Sequence, residues 1–246
     1  TCRTFSLHFF IFQKNLQFYA FTINIYFCPR TADIDKMLKS QDILVLVKLL
    51  SIQNELRTSS NFSSEYSNDY SNFYLKRSIK HLLSVRGLAE SIVIGKSEVS
   101  ECIKRLVKVG LLVIHDQKFS QRLDLANFDW DINKRAFFNL VIHSFQYFFP
   151  AELRSMDFGI PTAFSKEGLN SFLAYSSPIP YIWPIQTYKS ISGLAIEPMH
   201  KSIPYAAIED NYLYEIFAII DIFRIGSPRE KHIAEKLFSE ILGVSN

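Results

Sequence analysis

Cysteine is scarce in this chain of 246 residues: only Cys2, Cys28 and Cys102 occur. An odd number without a CxxC pair provides neither a disulfide framework nor a zinc-binding spacing. Such usage fits a reducing, cytoplasmic compartment. Glycine and proline are also few, 8 and 9, which argues against a turn-dense all-β chain. The six histidines include no HxxxH or HExxH spacing, and neither GxSxG nor a phosphate-cradling glycine loop occurs. A zinc hydrolase, a nucleophile elbow and a P-loop are therefore not indicated. His143, His200, His232, Glu197, Asp210 and Asp221 remain as scattered titratable residues with no catalytic spacing. No enzyme, no metal and no cofactor is expected. Charge of one sign is lacking as well, since the formal net charge is only +3.

Apolar residues make up 48% of the chain and aromatics 15%, ample for a packed core of one large or two small domains. The charge is unevenly placed. Residues 37–72 carry 3 basic and 4 acidic side chains, 73–125 carry 10 and 5, and 126–246 carry 10 and 13. The middle segment is thus net +5, the kind of local excess that attracts a phosphate backbone.

Residues 1–36 stand apart. The apolar run from Phe5 to Phe27 is interrupted by Gln13, Lys14 and Asn15, and Cys28-Pro29-Arg30 is a poor cleavage site. A membrane span or export signal is disfavoured by these features. A hairpin or helix of the fold is a second reading. A third is translated sequence upstream of a start at Met37, or a disordered extension; its Phe, Ile, Asn, Lys and Tyr content favours this one.

From Met37 the periodicity becomes regular. Ile43, Leu44, Val47 and Leu50 share one face of a helix over 41–53, with Ser40 as its cap and Asp42 in its first turn. The Ser/Asn-rich stretch 54–72 reads as a polar loop or insertion, despite Phe62, Tyr66 and Tyr70 at four-residue spacing. A short basic helix over 74–82 would expose Lys76, Arg77 and Lys80.

Residues 84–125 carry the most informative pattern. Ser84 caps a short helix Val85–Ser91, with Leu88 and Ala89 inward. Ile92 to Gly95 form a tight turn. Lys96–Val109 is a second helix, with Val99, Ile103 and Leu106 on one face and Gly110 as its left-handed stop. Leu111–Ile114 and Arg122–Leu125 read as two short strands around a tip at residues 115–118. Helix, turn, longer helix and hairpin make a winged helix-turn-helix, in which the second helix enters the major groove. Its leading residues Lys96, Ser97, Ser100 and Glu101 are placed for base edges. Arg86, Lys104 and Arg105, with Lys118 and Arg122 on the wing, are placed for phosphates. Cys102, on the same helix, reads as a buried structural thiol.

This segment resembles the winged-helix regulators of the multiple-antibiotic-resistance (MarR-like) type. It departs from them at Val93, where glycine is common, at Gly95, where a Ser or Thr cap is common, and at Glu101, where a basic residue is common. The 54–80 stretch replaces a short connection.

The second half is helical at both ends. Asn133–Phe149 forms an apolar helix stopped by Pro150, 209–224 forms another, and Pro228 begins a last one reaching Leu242. Residues 157–205 are loop-rich, and Tyr181, Trp183, Tyr188 and Tyr205 could line a pocket for an unidentified effector there. Phe149-Pro150-Ala151-Glu152, Gly159-Ile160-Pro161-Thr162-Ala163, Trp183-Pro184, Glu197-Pro198 and Arg229-Glu230 are similar to uncharacterised bacterial proteins of the MarR-like type. The resemblance implies a regulator and brings no ligand or catalytic residue.

The expectation is an α+β chain, mostly α: a winged helix domain over 37–125 and a helical, loop-rich dimerisation or regulatory domain over 126–246. It would act as a cytoplasmic homodimer binding double-stranded DNA, with repression the favoured mode and no membrane association. The alternative is a protein–protein module that docks a partner on the winged helix.

Overall fold

The computed structural model describes residues 5–9, 21–25, 38–62, 78–115, 125–172 and 179–244. Contacts divide the chain into Thr1–Met37 and Leu38–Asn246. In the first unit, strands β1 (Phe5–Phe9) and β2 (Phe21–Ile25) pair antiparallel, with Phe5 opposite Ile25 and Phe9 opposite Phe21. No helix among the described residues is long and apolar enough to cross a membrane.

The second unit is α+β and mostly helical. Its axis is α1 (Ser40–Phe62). Between Asp42 and Ile52 every residue but Lys48 is buried. The sequence suggests a single inward face, yet Val45, Leu46 and Leu49 are buried too. A helix that is apolar all round has to lie inside. It also runs on through 54–62, which the composition reads as loop. Extending an existing helix is far easier than nucleating one, and Thr58 Oγ1 donates to the Asn54 carbonyl along the way (2.9 Å). The rest of the polar tract, with Tyr66 and Tyr70, lies outside the described residues, as do Lys76 and Arg77 of the basic helix expected over 74–82.

A short helix α2 over residues 78–82 leads into α3 (Val85–Ser91) and α4 (Lys96–Lys108). Strands β3 (Leu112–Ile114) and β4 (Trp130–Ile132) follow as an antiparallel pair, Leu112 opposite Ile132. Of the strand expected at Arg122–Leu125, only Leu125 lies within the described residues, and the partner of β3 is Trp130–Ile132. Leu125 begins a 3-10 turn, Leu125–Asn127, and is buried in the core.

Helix α5 (Lys134–Phe148) is capped by Asn133, whose side chain accepts from Ala136 N–H (3.0 Å). The expected loop region contains a small closed sheet of β5 (Leu153–Pro161), β6 (Tyr181–Pro184) and β7 (Ile191–Ile196). Strand β5 pairs antiparallel with both others, and β6 runs parallel to β7. Helices α6 (Ile203–Glu209), α7 (Asn211–Ile225) and α8 (Pro228–Leu242) complete the chain. The last begins at Pro228 with a Ser227/Glu230 capping box and ends at left-handed Gly243. Helix α7 is buried almost as completely as α1, and one core includes residues from both halves.

The sheet is pinned to α7 by a buried polar cluster. Asp221 accepts from Thr162 Oγ1 (2.8 Å), Trp183 Nε1 (2.6 Å) and Arg224 Nη1 (2.6 Å). Arg224 in turn donates to the carbonyls of Phe149 (2.7 Å) and Pro150 (3.2 Å) at the end of α5. Burial pushes the Asp221 carboxyl up, while Arg224, Thr162 and Trp183 pull it down. Trp183 is thus a core residue and not a pocket wall. Removing one member of a buried charge pair strands the other. Asp221→Ala should lower unfolding stability by about 3–5 kcal/mol, measured by denaturant titration; a loss under about 1 kcal/mol contradicts this role.

Candidate nucleic-acid interface

Two features set the position of α3. The Ser84 side chain accepts from Gly87 N–H (3.0 Å), and its hydroxyl donates to the His81 carbonyl (2.7 Å). At Gly87 a Cβ would fall 2.1 Å from the His81 carbonyl oxygen, so only glycine allows α2 and α3 to approach this closely. Ala89, buried, gives room where α3 meets α4.

Helix α4 is sharply two-sided. Val99, Cys102, Ile103 and Leu106 are buried, whereas Lys96, Ser97, Glu101, Lys104 and Lys108 are exposed and Ser100 is half-buried. Its N-terminus has Gly95 as a cap without a side-chain hydrogen bond. Its end is closed by Gly110 in the left-handed region at φ 75°.

The basic residues on this surface have different fates. Arg105 does not face solvent for a phosphate. Its guanidinium grips the fully buried Asp42 of α1 through Nε (2.9 Å) and Nη2 (2.6 Å). That contact raises the Arg105 pKa further. Asp42 also receives the Lys39 N–H (2.8 Å), so it caps α1 and anchors α4 together. Cys102 lies against the same pair, with Arg105 Nη2 3.4 Å from its Sγ. Burial, reinforced by Asp42, pushes its thiol pKa well up. It is a buried, protonated side chain and not a reactive one.

Lys104 and Arg86 stay at the surface but are paired. Lys104 holds Glu101 at 2.7 Å and Arg86 holds Glu90 at 2.9 Å. The hydrogen bonds from Lys104 and Arg86 keep both carboxylates below their ordinary range. Lys96 and Lys108 hold no ion pair among the described residues. Lys118 and Arg122 lie outside the described residues. The exposed face is therefore a mixed one: Lys96, Ser97 and Ser100 toward the start of α4, a Glu101–Lys104 pair next, then Lys108.

The turn between the helices carries strain that the sequence hints at through Val93. That residue sits at φ 55°, a left-handed conformation that disfavours a β-branched side chain. Its carbonyl is held from the C-terminal half by Ser202 Oγ (2.9 Å). Ser202 N–H in turn donates to His200 Nδ1 (3.2 Å). A groove of about 550 Å³ opens beside this clamp, lined by Val93, Arg154, Pro184, Glu197, Lys201 and Tyr205 among others. Of the four aromatic residues read as pocket walls, only Tyr205 borders it; Trp183 is buried and Tyr188 projects into solvent. Among the described residues no three His, Cys, Asp or Glu side chains converge as a metal site. The sequence misses Asp42, Ser202 and His200 as determinants of this surface, because their partners are remote in the chain.

No family model, curated protein or solved structure matches the chain.

Val93→Gly should raise stability by about 0.5–1 kcal/mol, because relief of left-handed strain outweighs the added freedom of the unfolded chain. Thermal denaturation compares the two. His200 provides a pH test. Burial pushes its pKa below the usual 6.5, with Glu98 opposing. The folded chain therefore resists protonation more than the unfolded one. Its contribution is complete above the unfolded value and is lost as pH falls through the lower folded value. Wild type should lose stability over that window by up to about 1.4 kcal/mol per pH unit relative to His200→Gln.

Proposed function

We propose that residues 78–132 form a winged helix, that the chain binds double-stranded DNA as a transcriptional regulator, and that it does so as a homodimer. Helix α4 enters the major groove with Lys96, Ser97, Ser100 and Glu101 toward base edges. Lys104 and Arg86 exchange their carboxylate partners for phosphates, and Arg105 stays in the core. The observation that carries this reading is the two-sidedness of α4: an exposed polar and basic face opposite one locked to α1 by Arg105 and Asp42. The local excess of positive charge over residues 73–125 supports it. Twofold symmetry follows from the need of such a module for two half-sites.

One observation favours a second reading, a protein-docking role for the same face. Val93, Val109 and Val113 are exposed around it, and two of its cations are already neutralised.

Fluorescence anisotropy with duplexes from the gene's own upstream region, read over a salt series, separates the two. Lys96→Glu and Lys104→Glu should each weaken binding and lower the slope of log K against log salt by about 1. Arg105→Ala should instead cost about 3–5 kcal/mol of folding stability. Binding that ignores both reversals, or that barely responds to salt, rules out DNA reading by α4.

A further inference from the structure

Strand β5 is exposed along its first six residues, from Leu153 to Phe158. Over that stretch one edge pairs with β7, and pairing with β6 on the other edge starts only at Gly159. The directions of the hydrogen bonds show which groups are left open. Leu194, opposite Met156, sends its N–H away from β5 to the Pro180 carbonyl (2.8 Å). In an antiparallel ladder both members of a pair bond each other or both point away. The amide and carbonyl of Met156 therefore face the open edge, and two residues on so do those of Phe158. The Phe158 N–H is met by its neighbour's Asp157 Oδ1 (2.7 Å). Thr162, in the same phase but beyond the open stretch, does reach β6, donating to the Tyr181 carbonyl (2.8 Å). On the near side the Glu152 carbonyl accepts from Glu197 N–H, and the irregular register between Leu153 and Met156 turns Leu153 to the open edge as well.

This open edge is apolar: Leu153, Met156 and Phe158 are 53%, 53% and 60% exposed. Tyr147 and Phe148, at the end of α5 just upstream in the chain, are exposed as well. Exposed apolar edges pair with other strands unless something covers them.

We propose that the edge is covered by the same edge of a second copy, antiparallel about a twofold axis at Met156. The open amide and carbonyl of Met156 face those of its own copy, while the irregularity between Leu153 and Met156 takes up the extra residue. The segment Leu153-Arg154-Ser155-Met156-Asp157-Phe158 is complementary to itself in that arrangement. Leu153 meets the partner's Phe158, and Arg154 meets the partner's Asp157, and the axis repeats both contacts. Opposite charges and apolar pairs directly across a ladder are favourable, whereas like charges are not. Arg154 now holds Glu197 at 2.5 Å, but both are about half exposed, and such a pair gives way at little cost. The contact gives a surface to the homodimer of the regulatory reading, but it stands on the strand alone.

Sedimentation velocity over a dilution series tests it, with circular dichroism checking the fold of each variant. Wild type should self-associate. R154D and D157R should each be monomeric, because like charges then face each other across the axis. An equimolar mixture of the two should dimerise again, since every facing pair becomes opposite in charge. A monomeric wild type overturns the contact, as do single reversals that still dimerise or a mixture that stays monomeric. A monomeric wild type that nonetheless shifts duplex DNA removes this contact and leaves the DNA reading in place. A charge-dependent dimer that ignores DNA does the reverse.

Discussion

A helix surrounded by protein on every side has nowhere to solvate its polar groups, and α1 is such a helix over its first three turns. Its two charged residues there are therefore committed to partners. Asp42 takes Arg105 of α4, and Lys48 takes Asp210 at 2.8 Å, the residue that caps α7. Because unpaired charge in that environment is costly, these two contacts fix how α4 and α7 stand against the central helix. The exposed face of α4 inherits its orientation from a carboxylate that solvent never reaches.

The second polar centre, Asp221 with Arg224, works on the sheet in the same way. It collects Thr162 from the end of β5, Trp183 from β6 and the carbonyls that end α5. Buried ion pairs are seldom better than apolar packing in free energy, but they tolerate few alternative arrangements. Here each joins segments distant in sequence. The loop-rich appearance of residues 157–205 is resolved by this anchoring and not by local propensity.

The two halves meet again at the turn preceding α4. Val93 adopts a left-handed conformation and its carbonyl is held by Ser202, which belongs to the start of α6. Strain of this kind persists only where the surroundings hold it. The start of α6 and the turn from which α4 begins, with Lys96 and Ser97 in its first turn, are thus tied together by this hydrogen bond.

Helix ends were legible from the sequence because capping is local chemistry. Ser84, Gly110 and Pro228 each act on backbone groups within a few residues of themselves. The two faces of α4 were legible for the same reason, through the spacing of Val99, Ile103 and Leu106. Partnership was not. Lys104 and Arg105 are adjacent and equally basic, yet one projects into solvent and the other is drawn inward by a carboxylate 63 residues away. The burial of α1 on all sides between Asp42 and Ile52, the pairing of β3 with Trp130–Ile132, the closed sheet and the place of Trp183 also depend on distant segments. Local sequence sets backbone conformation and the sidedness of each element. Which charges remain at the surface is set only when the elements come together, because that depends on which opposite charge is buried within reach.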